Sequence, residues 1–380
     1  MNSSAVVCRF FLLGCVLVYT SLAFDAQARD RWDNIDRIVA IGDLHGDYDQ
    51  YLQVLRDNQL IDTKLNWRGG KTHLVQLGDV PDRGPDSLKI MRHMRQLEKQ
   101  AKRQRGYVHA LLGNHEVMNI HGDLRYVHPG EYQALVTDQS PLLQSRYLDR
   151  VLAYEQKQGL LPALPEALQA QRLQDRRAQL SKQYPLGFVE QRTLWAPRGE
   201  AFEWVKSHNA LIKLNRTLFV HGGIAPNEPL LPISKINKLV RKAMRAAPEE
   251  PGTPGDILGE QGPLWYRGLA NRAGDEAAVK LMLDYYDADT IVIAHTPTSG
   301  AIMPGENGHV IQVDVGLGQA YGKHRANLLI EADHYYAVQR GQRLPLPRTD
   351  AALIPYLQQA LELEPDPAAI QQTIDQLMQP

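Results

Sequence analysis

Short apolar runs that lead into polar side chains recur along this chain, and this pattern constrains its fold more than any other feature. The first run, residues 38–41, leads through Gly42 into Asp43 and His45. A continuous apolar run of this length is typical of a strand buried on both faces. Side chains two residues apart in extended chain point the same way, so Asp43 and His45 are positioned to approach one metal ion together.

Five later runs repeat this arrangement, at residues 72–77, 107–112, 217–220, 290–294 and 310–313. The polar residues that follow them are Asp79, Asn114 with His115, His221, His295 and Asp314. Helical patterns lie between some of the runs, for example over residues 48–58 and 87–102, and this alternation predicts an α/β fold. Ligands of such folds collect at the carboxyl ends of the strands, where these polar residues fall.

The first 28 residues have the features of a secretory signal peptide. Arg9 precedes the apolar residues 10–23, and small side chains at the expected spacing would allow cleavage after Ala23 or Ala28. An uncleaved anchor is the alternative, although the apolar run is shorter than the roughly 20 residues of a spanning helix. We therefore expect an exported protein, periplasmic or secreted, whose mature chain has no membrane span.

Composition excludes several kinds of chemistry. Cys8 and Cys15 both lie in the predicted signal, so the mature chain has no cysteine for a thiolate-dependent phosphatase or protease. The formal charge of -1 gives no electrostatic footprint for nucleic acid. We predict a catalytic domain at residues 29–343, a mainly helical insertion at 122–195 and a C-terminal helical extension at 344–380. Nothing in the sequence specifies an oligomeric state.

Six residues at the ends of these runs are candidate metal ligands: Asp43, His45, Asp79, Asn114, His221 and His295. A single zinc ion takes only about four ligands, so six suit two divalent ions, with Asp79 as the natural bridge between them. Carboxylate, amide and imidazole groups accept Mn, Fe and Zn alike.

The predicted charge of this centre favours a phosphate ligand. Two ions carry about +4 and the two carboxylates remove two, which leaves about +2. Arg83 and Arg267 could bind phosphate oxygens through their guanidinium groups, and Tyr321 could donate a hydrogen bond to one. Glu116 is expected to brace its loop rather than to contact substrate, and Asp314 either bonds a ligand histidine or caps a loop.

Four motifs resemble a known family. GDLHG at 42–46, GDVPDRG at 78–84, GNHE at 113–116 and HGG at 221–223 resemble, in this order, the metallophosphoesterase signature and more narrowly its phosphoprotein phosphatase branch. The chain looks most like the bacterial Shewanella-like phosphatases, over about residues 38–322. The resemblance implies a calcineurin-like β-sandwich flanked by helices.

The resemblance also implies a role for each matching residue. The first ion would be held by Asp43, His45 and Asp79, and the second by Asp79, Asn114, His221 and His295. Phosphate would be bound by Arg83, Arg267 and Asn114. His115 would protonate the leaving oxygen, with Asp82 orienting its imidazole. Beyond His221 the motifs of eukaryotic serine/threonine phosphatases fade, so eukaryotic substrate preference is not carried over.

The expected reaction is direct hydrolysis of a phosphomonoester by a metal-bridging hydroxide, with His115 as general acid. Its substrate would be a phosphorylated protein, on tyrosine or on serine/threonine, or a small phosphoester. The alternative is a nucleotide or dinucleoside polyphosphate hydrolase on the same scaffold, and a third interpretation is an inactive metal-binding adaptor. The DRG and GNHE forms of the motifs favour the phosphoprotein substrate.

Overall fold

A computed structural model describes residues 29–161, 166–226, 229–246, 256–271 and 276–379. The predicted signal peptide, residues 1–28, lies outside these ranges. Across the described ranges, no helix combines the length and the apolar character needed to cross a bilayer.

The strands of the described residues form two six-stranded sheets. Strands β1 to β12 are Arg31–Trp32, Arg37–Ile41, His73–Gln76, Tyr107–Ala110, Leu211–Leu214, Thr217–Val220, Thr290–Ile293, Met303–Gly305, Val310–Gln312, Ala326–Glu331, His334–Gln339 and Gln342–Pro345. One sheet has the order β1-β5-β6-β7-β9-β8 and the other β12-β11-β10-β2-β3-β4. The six strands predicted from apolar runs are all present, as β2, β3, β4, β6, β7 and β9.

Parallel pairing brings the ends of these strands together. Strands β2, β3 and β4 are parallel neighbours in one sheet, and β6, β7 and β9 are parallel neighbours in the other. The carboxyl ends of each triplet therefore lie at one edge of its sheet, where the loops that carry the candidate ligands begin.

The alternation of side chains in β2 shows why the strand is apolar on both faces. Ile38 and Ala40 belong to a core cluster with Val75 and Phe219, which lies between the two sheets. Val39 and Ile41 belong to a second cluster that includes residues of the flanking helices. The fold is thus an α/β sandwich flanked by helices, as predicted.

Helices α1 to α12 are Tyr48–Asp57, Ser87–Arg103, Asn114–His121, Pro129–Ala134, Ser140–Lys157, Glu166–Gln183, Phe188–Trp195, Glu200–Val205, Ile233–Arg245, Glu276–Tyr286, Leu353–Leu363 and Ala368–Leu377. Asp47 caps α1 through its Oδ1, which accepts a hydrogen bond of 3.1 Å from the Gln50 N–H. Helices α4 to α7 lie in the predicted insertion.

The C-terminal helices pack on the sandwich itself. Tyr356 and Leu357 of α11 are buried in the cluster between the sheets, and the Tyr356 hydroxyl donates a 2.9 Å hydrogen bond to the Ile302 carbonyl. The predicted start of the extension at residue 344 falls inside β12, which pairs with β11.

Candidate metal centre and active site

The loops that follow β2, β3 and β4 are joined directly at Asp79. The Asp79 carbonyl accepts hydrogen bonds of 3.0 Å from the backbone N–H groups of both Leu44 and His45. Its Oδ1 accepts a 2.9 Å bond from the His115 N–H. A Cβ atom on Gly113 would lie 2.1 Å from the same Oδ1, so only glycine fits there. The position of the Asp79 carboxylate is therefore fixed from several sides.

Five residues of this region have left-handed backbone conformations. Their φ angles are 45° at His45, 56° at Asp79, 73° at Asp82, 65° at Arg83 and 65° at His295. Each such conformation costs a non-glycine residue about 1 kcal/mol or more. Strain of this kind persists where the surrounding structure fixes side chains for a function.

Two of the candidate ligand histidines are oriented by backbone carbonyls. His45 Nδ1 donates to the Pro81 carbonyl at 3.1 Å, and His221 Nδ1 donates to the Leu77 carbonyl at 2.8 Å. A carbonyl oxygen can only accept, so Nδ1 carries a proton, and in the neutral ring Nε2 then keeps a lone pair. Metal-binding histidines usually have this arrangement.

These Nε2 atoms face oxygen acceptors. His221 Nε2 is 3.0 Å from Asn114 Oδ1 and 3.3 Å from Asp79 Oδ2, while His45 Nε2 is 3.7 Å from Asp43 Oδ2. Lone pairs that face one another repel unless a cation lies between them. The buried His295 Nε2 has no hydrogen-bond partner among the described residues. The donor set therefore fits divalent cations.

Two groups of possible ligands share Asp79. One contains His45, Asp79 and His115, the other Asp79, His221 and His295, and the ligand atoms of each group lie within 4.8 Å of one another. Asp79, which was predicted to bridge two ions, is the residue that the two groups have in common. The first group differs from the predicted trio because His115 takes the place assigned to Asp43.

Asp43 lies beside this group in a strongly acidic environment. Its Oδ1 accepts a 3.2 Å hydrogen bond from the His295 N–H. Burial, together with the carboxylates of Asp314 and Asp79, raises the pKa of Asp43 well above its usual range. Burial also raises the pKa of Asp314 to about 6, and Asp314 Oδ1 caps its loop by accepting from the Gly316 N–H at 3.1 Å. A bound cation would offset the repulsion between these carboxylates.

His115 and Asp82 form a buried pair next to Asp79. His115 Nδ1 donates to Asp82 Oδ2 at 2.5 Å, and His115 Nε2 lies 3.7 Å from Asp79 Oδ2. Burial lowers the pKa of His115, but the carboxylates of Asp79 and Asp82 more than compensate and raise it above its ordinary value. The pair therefore favours a protonated imidazole, which can act as a general acid.

The predicted phosphate-binding residues border the histidines. The Arg83 guanidinium lies 3.9 Å from the centre of the Tyr126 ring and 5.6 Å from that of Tyr321. The Tyr321 ring stacks on His45, with their centres 5.3 Å apart. Arg267 Nη1 donates to the His295 carbonyl at 2.9 Å.

Glu116 braces the loops, as expected. Its carboxylate accepts hydrogen bonds from the backbone N–H groups of Asp79 at 3.0 Å, Val80 at 2.9 Å and Gly113 at 2.8 Å. The sequence interpretation missed Glu131 of α4, whose Oε1 accepts a 3.1 Å bond from the Asp82 N–H. Nothing in the local sequence marks a residue whose partner is so distant along the chain.

Comparison with known proteins gives consistent matches. The family model for calcineurin-like phosphoesterases matches residues 36–299. Shewanella-like protein phosphatase 2 of Arabidopsis thaliana is 28% identical over 302 residues, which are 76% of this chain and 73% of that protein. Shewanella-like protein phosphatase 1 of Plasmodium berghei is 27% identical over 84% of this chain and 78% of its own length.

A solved structure is similar over most of the fold. The cold-active protein-tyrosine phosphatase of a psychrophilic Shewanella species has a TM-score of 0.64 and is 29% identical, over 84% of this chain and 82% of that one. These matches confirm the resemblance predicted from the four sequence motifs.

Proposed function

The chain belongs to the calcineurin-like phosphoesterase family, and from this premise we propose that it is a phosphoprotein phosphatase that prefers phosphotyrosine. The broader class is a metal-dependent phosphoester hydrolase. The observation that carries the proposal is the Asp82–His115 pair, which lies against the carboxylate shared by both groups of candidate ligands.

The residues that would hold two divalent ions are Asp43, His45, Asp79, Asn114, His221 and His295. When bound, such ions neutralise phosphate charge and make a water molecule more acidic. The chain's own residues set the geometry. The Asp79 carboxylate, for example, is held in place by the His115 backbone N–H, which donates to its Oδ1 at 2.9 Å. The donor set accepts Mn, Fe or Zn.

Residues around this centre would transfer the proton and orient the phosphate. His115 would hold its proton on Nε2 and deliver it to the departing oxygen, while Asp82 keeps Nδ1 engaged and fixes the ring. Arg83 and Arg267 would bind the non-bridging oxygens, and Asn114 would contribute its amide. Tyr321 would add a hydroxyl donor.

Aromatic side chains around the histidines support the preference for phosphotyrosine. Tyr126 lies 5.2 Å from the His115 ring, and Trp265 lies 5.6 Å from the His295 ring, measured between ring centres. Both, like Tyr321, are only half-buried. Partly exposed aromatic rings of this kind can pack against a substrate phenyl ring. The similarity to the Shewanella tyrosine phosphatase supports the same substrate class.

A panel of substrates tests the proposal. Purified protein is assayed for phosphate release from phosphotyrosine peptides, from phosphoserine peptides of matched sequence and from a dinucleoside tetraphosphate. We expect the highest kcat/KM for phosphotyrosine. Faster turnover of the dinucleotide than of every peptide would establish the alternative, which the matches over most of the chain do not favour. No turnover of any substrate would leave the adaptor interpretation.

The predicted export is a separate proposal. Residues 1–28 carry the sequence features described above, and sequencing the N-terminus of protein recovered from the periplasm or medium tests them. A mature chain that begins at residue 24 or 29 is expected. Recovery of the intact chain from the membrane fraction would indicate an uncleaved anchor.

A further inference from the structure

A chain of side-chain hydrogen bonds leads from the helical insertion to the Asp82–His115 pair. Asn119 of α3 and Gln191 of α7 are both buried, with exposures of 0% and 1%. Asn119 Nδ2 donates to Asp82 Oδ1 at 2.9 Å and to the His115 carbonyl at 3.0 Å. Gln191 Nε2 in turn donates to Asn119 Oδ1 at 2.7 Å.

The chemistry of the partners fixes the direction of every bond in this chain. A carboxylate and a carbonyl can only accept, so the Asn119 atom that faces them must be its amide nitrogen. The oxygen of Asn119 then faces Gln191, which must present its own amide nitrogen. The Asp82 carboxylate therefore determines the amide orientation of Asn119, and Asn119 in turn determines that of Gln191.

The network holds Asp82 at both carboxylate oxygens. His115 Nδ1 donates to Oδ2 and Asn119 Nδ2 donates to Oδ1. The Glu131 carboxylate accepts from the Asp82 backbone N–H. Without Asn119 the carboxylate could rotate about its last torsion, since such terminal torsions are broad. The imidazole would then lose its fixed direction, and catalysis is sensitive to small misplacements of this kind.

We propose that Asn119 and Gln191 are positioning residues that keep His115 aimed at the leaving oxygen, an inference that rests on the proposed function. The insertion thus influences the reaction indirectly, because Gln191 orients Asn119 and Asn119 orients Asp82.

The test uses two substrates that differ in their need for an acid. Tyrosine leaves poorly and requires protonation, whereas the phenol released from 2,4-dinitrophenyl phosphate leaves without it. The variants are Asn119→Leu, which removes the donor to Asp82, and Gln191→Met, which removes the donor to Asn119 at similar size. We expect kcat for a phosphotyrosine peptide to fall about tenfold or more with Asn119→Leu, and less with Gln191→Met. In both variants kcat for the dinitrophenyl ester and KM for both substrates should change less than about twofold.

Asn58 provides a matched control. It is also a buried asparagine whose Nδ2 bonds the carbonyl four residues earlier and one further side chain, here Asn327. Asn58→Leu should leave the ratio of the two kcat values unchanged. Asn119→Leu should also have no further effect on that ratio in a His115→Asn background, because a residue that acts through His115 has nothing left to position.

Each result decides the inference. Equal losses on both substrates, no loss, or the same ratio change in Asn58→Leu would overturn it. A lower metal content in both variants than in the Asn58→Leu control would also overturn it, since the two residues would then be purely structural. If Asn119→Leu alone does not fold, Gln191→Met and its ratio decide. Wild-type protein that hydrolyses neither substrate would instead refute the proposed function.

Discussion

At the scale of single residues, His115 has two possible roles, as a metal ligand or as the general acid. Its Nε2 lies close enough to Asp79 and His45 to be a metal ligand, yet its Nδ1 bond to Asp82 and its raised pKa favour a protonated ring. A protonated imidazole cannot bind a metal. The two interpretations therefore predict different properties for a variant at this position.

We expect His115→Asn to lower kcat by about 10²–10⁴-fold, the usual contribution of a general acid, while metal content stays nearly intact. Steady-state kinetics and elemental analysis of the same preparation measure both quantities. Loss of an ion from this variant would show that His115 is a ligand.

Gly113 shows how closely the backbone approaches the bridging carboxylate. Because an added Cβ would lie 2.1 Å from Asp79 Oδ1, Gly113→Ala should displace Asp79 and weaken metal affinity by about tenfold or more. Titration of chelated protein with Mn²⁺ measures the change. Gly305→Ala is the control, since its Cβ would meet nothing within 4 Å. Wild-type affinity in Gly113→Ala would contradict a bridging Asp79.

At the scale of elements, strands and their loops were predictable from sequence, whereas contacts across the chain were not. The side chains of residues Ile38 to Ile41 point alternately into two core clusters. Because both faces of the strand are buried, its sequence is an unbroken apolar run. Asp43 and Asp79 could be placed because parallel strands end at one edge. Gln191 could not, because its bond to Asn119 joins residues 72 positions apart and nothing in the sequence of α7 points to that partner. Helix α11 belongs to the predicted C-terminal extension, and its Tyr356 and Leu357 are buried in the cluster between the sheets.

Glu364, the residue that directly follows α11, connects that helix to the end of β11 through hydrogen bonds. Its fully buried carboxylate accepts from Gln339 Nε2 at 2.6 Å and from Arg340 Nε and Nη2 at 2.9 Å each. The Arg340 side chain is 21% exposed and keeps part of its hydration, so Glu364→Gln should lower the free energy of unfolding by about 2 kcal/mol.

Urea unfolding of three proteins measures that effect. The exposed Glu362 on the same helix gives the control Glu362→Gln, which should stay within about 0.5 kcal/mol of wild type. A Glu364→Gln protein as stable as this control would show that the Glu364 carboxylate contributes nothing measurable to the docking of α11.

At the scale of the whole molecule, buried neutral histidines make stability depend on pH. Burial lowers the pKa of His73 to about 4 and that of His109 well below its ordinary value, and the two rings are hydrogen-bonded at 3.0 Å. Well above pH 6.5 both histidines are neutral in the folded and the unfolded state, so they add no pH dependence there. As the pH falls from 6.5 toward 4, the unfolded chain takes up protons that the folded one excludes, so stability falls.

Because both histidines contribute, we expect this loss to exceed about 2 kcal/mol between pH 6.5 and 4, and His73→Gln to reduce it. Urea unfolding at several pH values gives the slope for each protein. His334→Gln is the control, because His334 is exposed. A slope in His73→Gln equal to that of wild type would assign the acid sensitivity to other groups.

We propose that two ions share the Asp79 carboxylate and that both ions are needed for phosphoester hydrolysis. The most direct test of this proposal is to strip the purified protein with a chelator, add back Mn²⁺ in measured equivalents, and follow bound metal and phosphotyrosine hydrolysis together. We expect no turnover without metal, and activity that reaches its plateau at two ions per chain. Full activity at one ion, or hydrolysis that survives complete removal of metal, would contradict it.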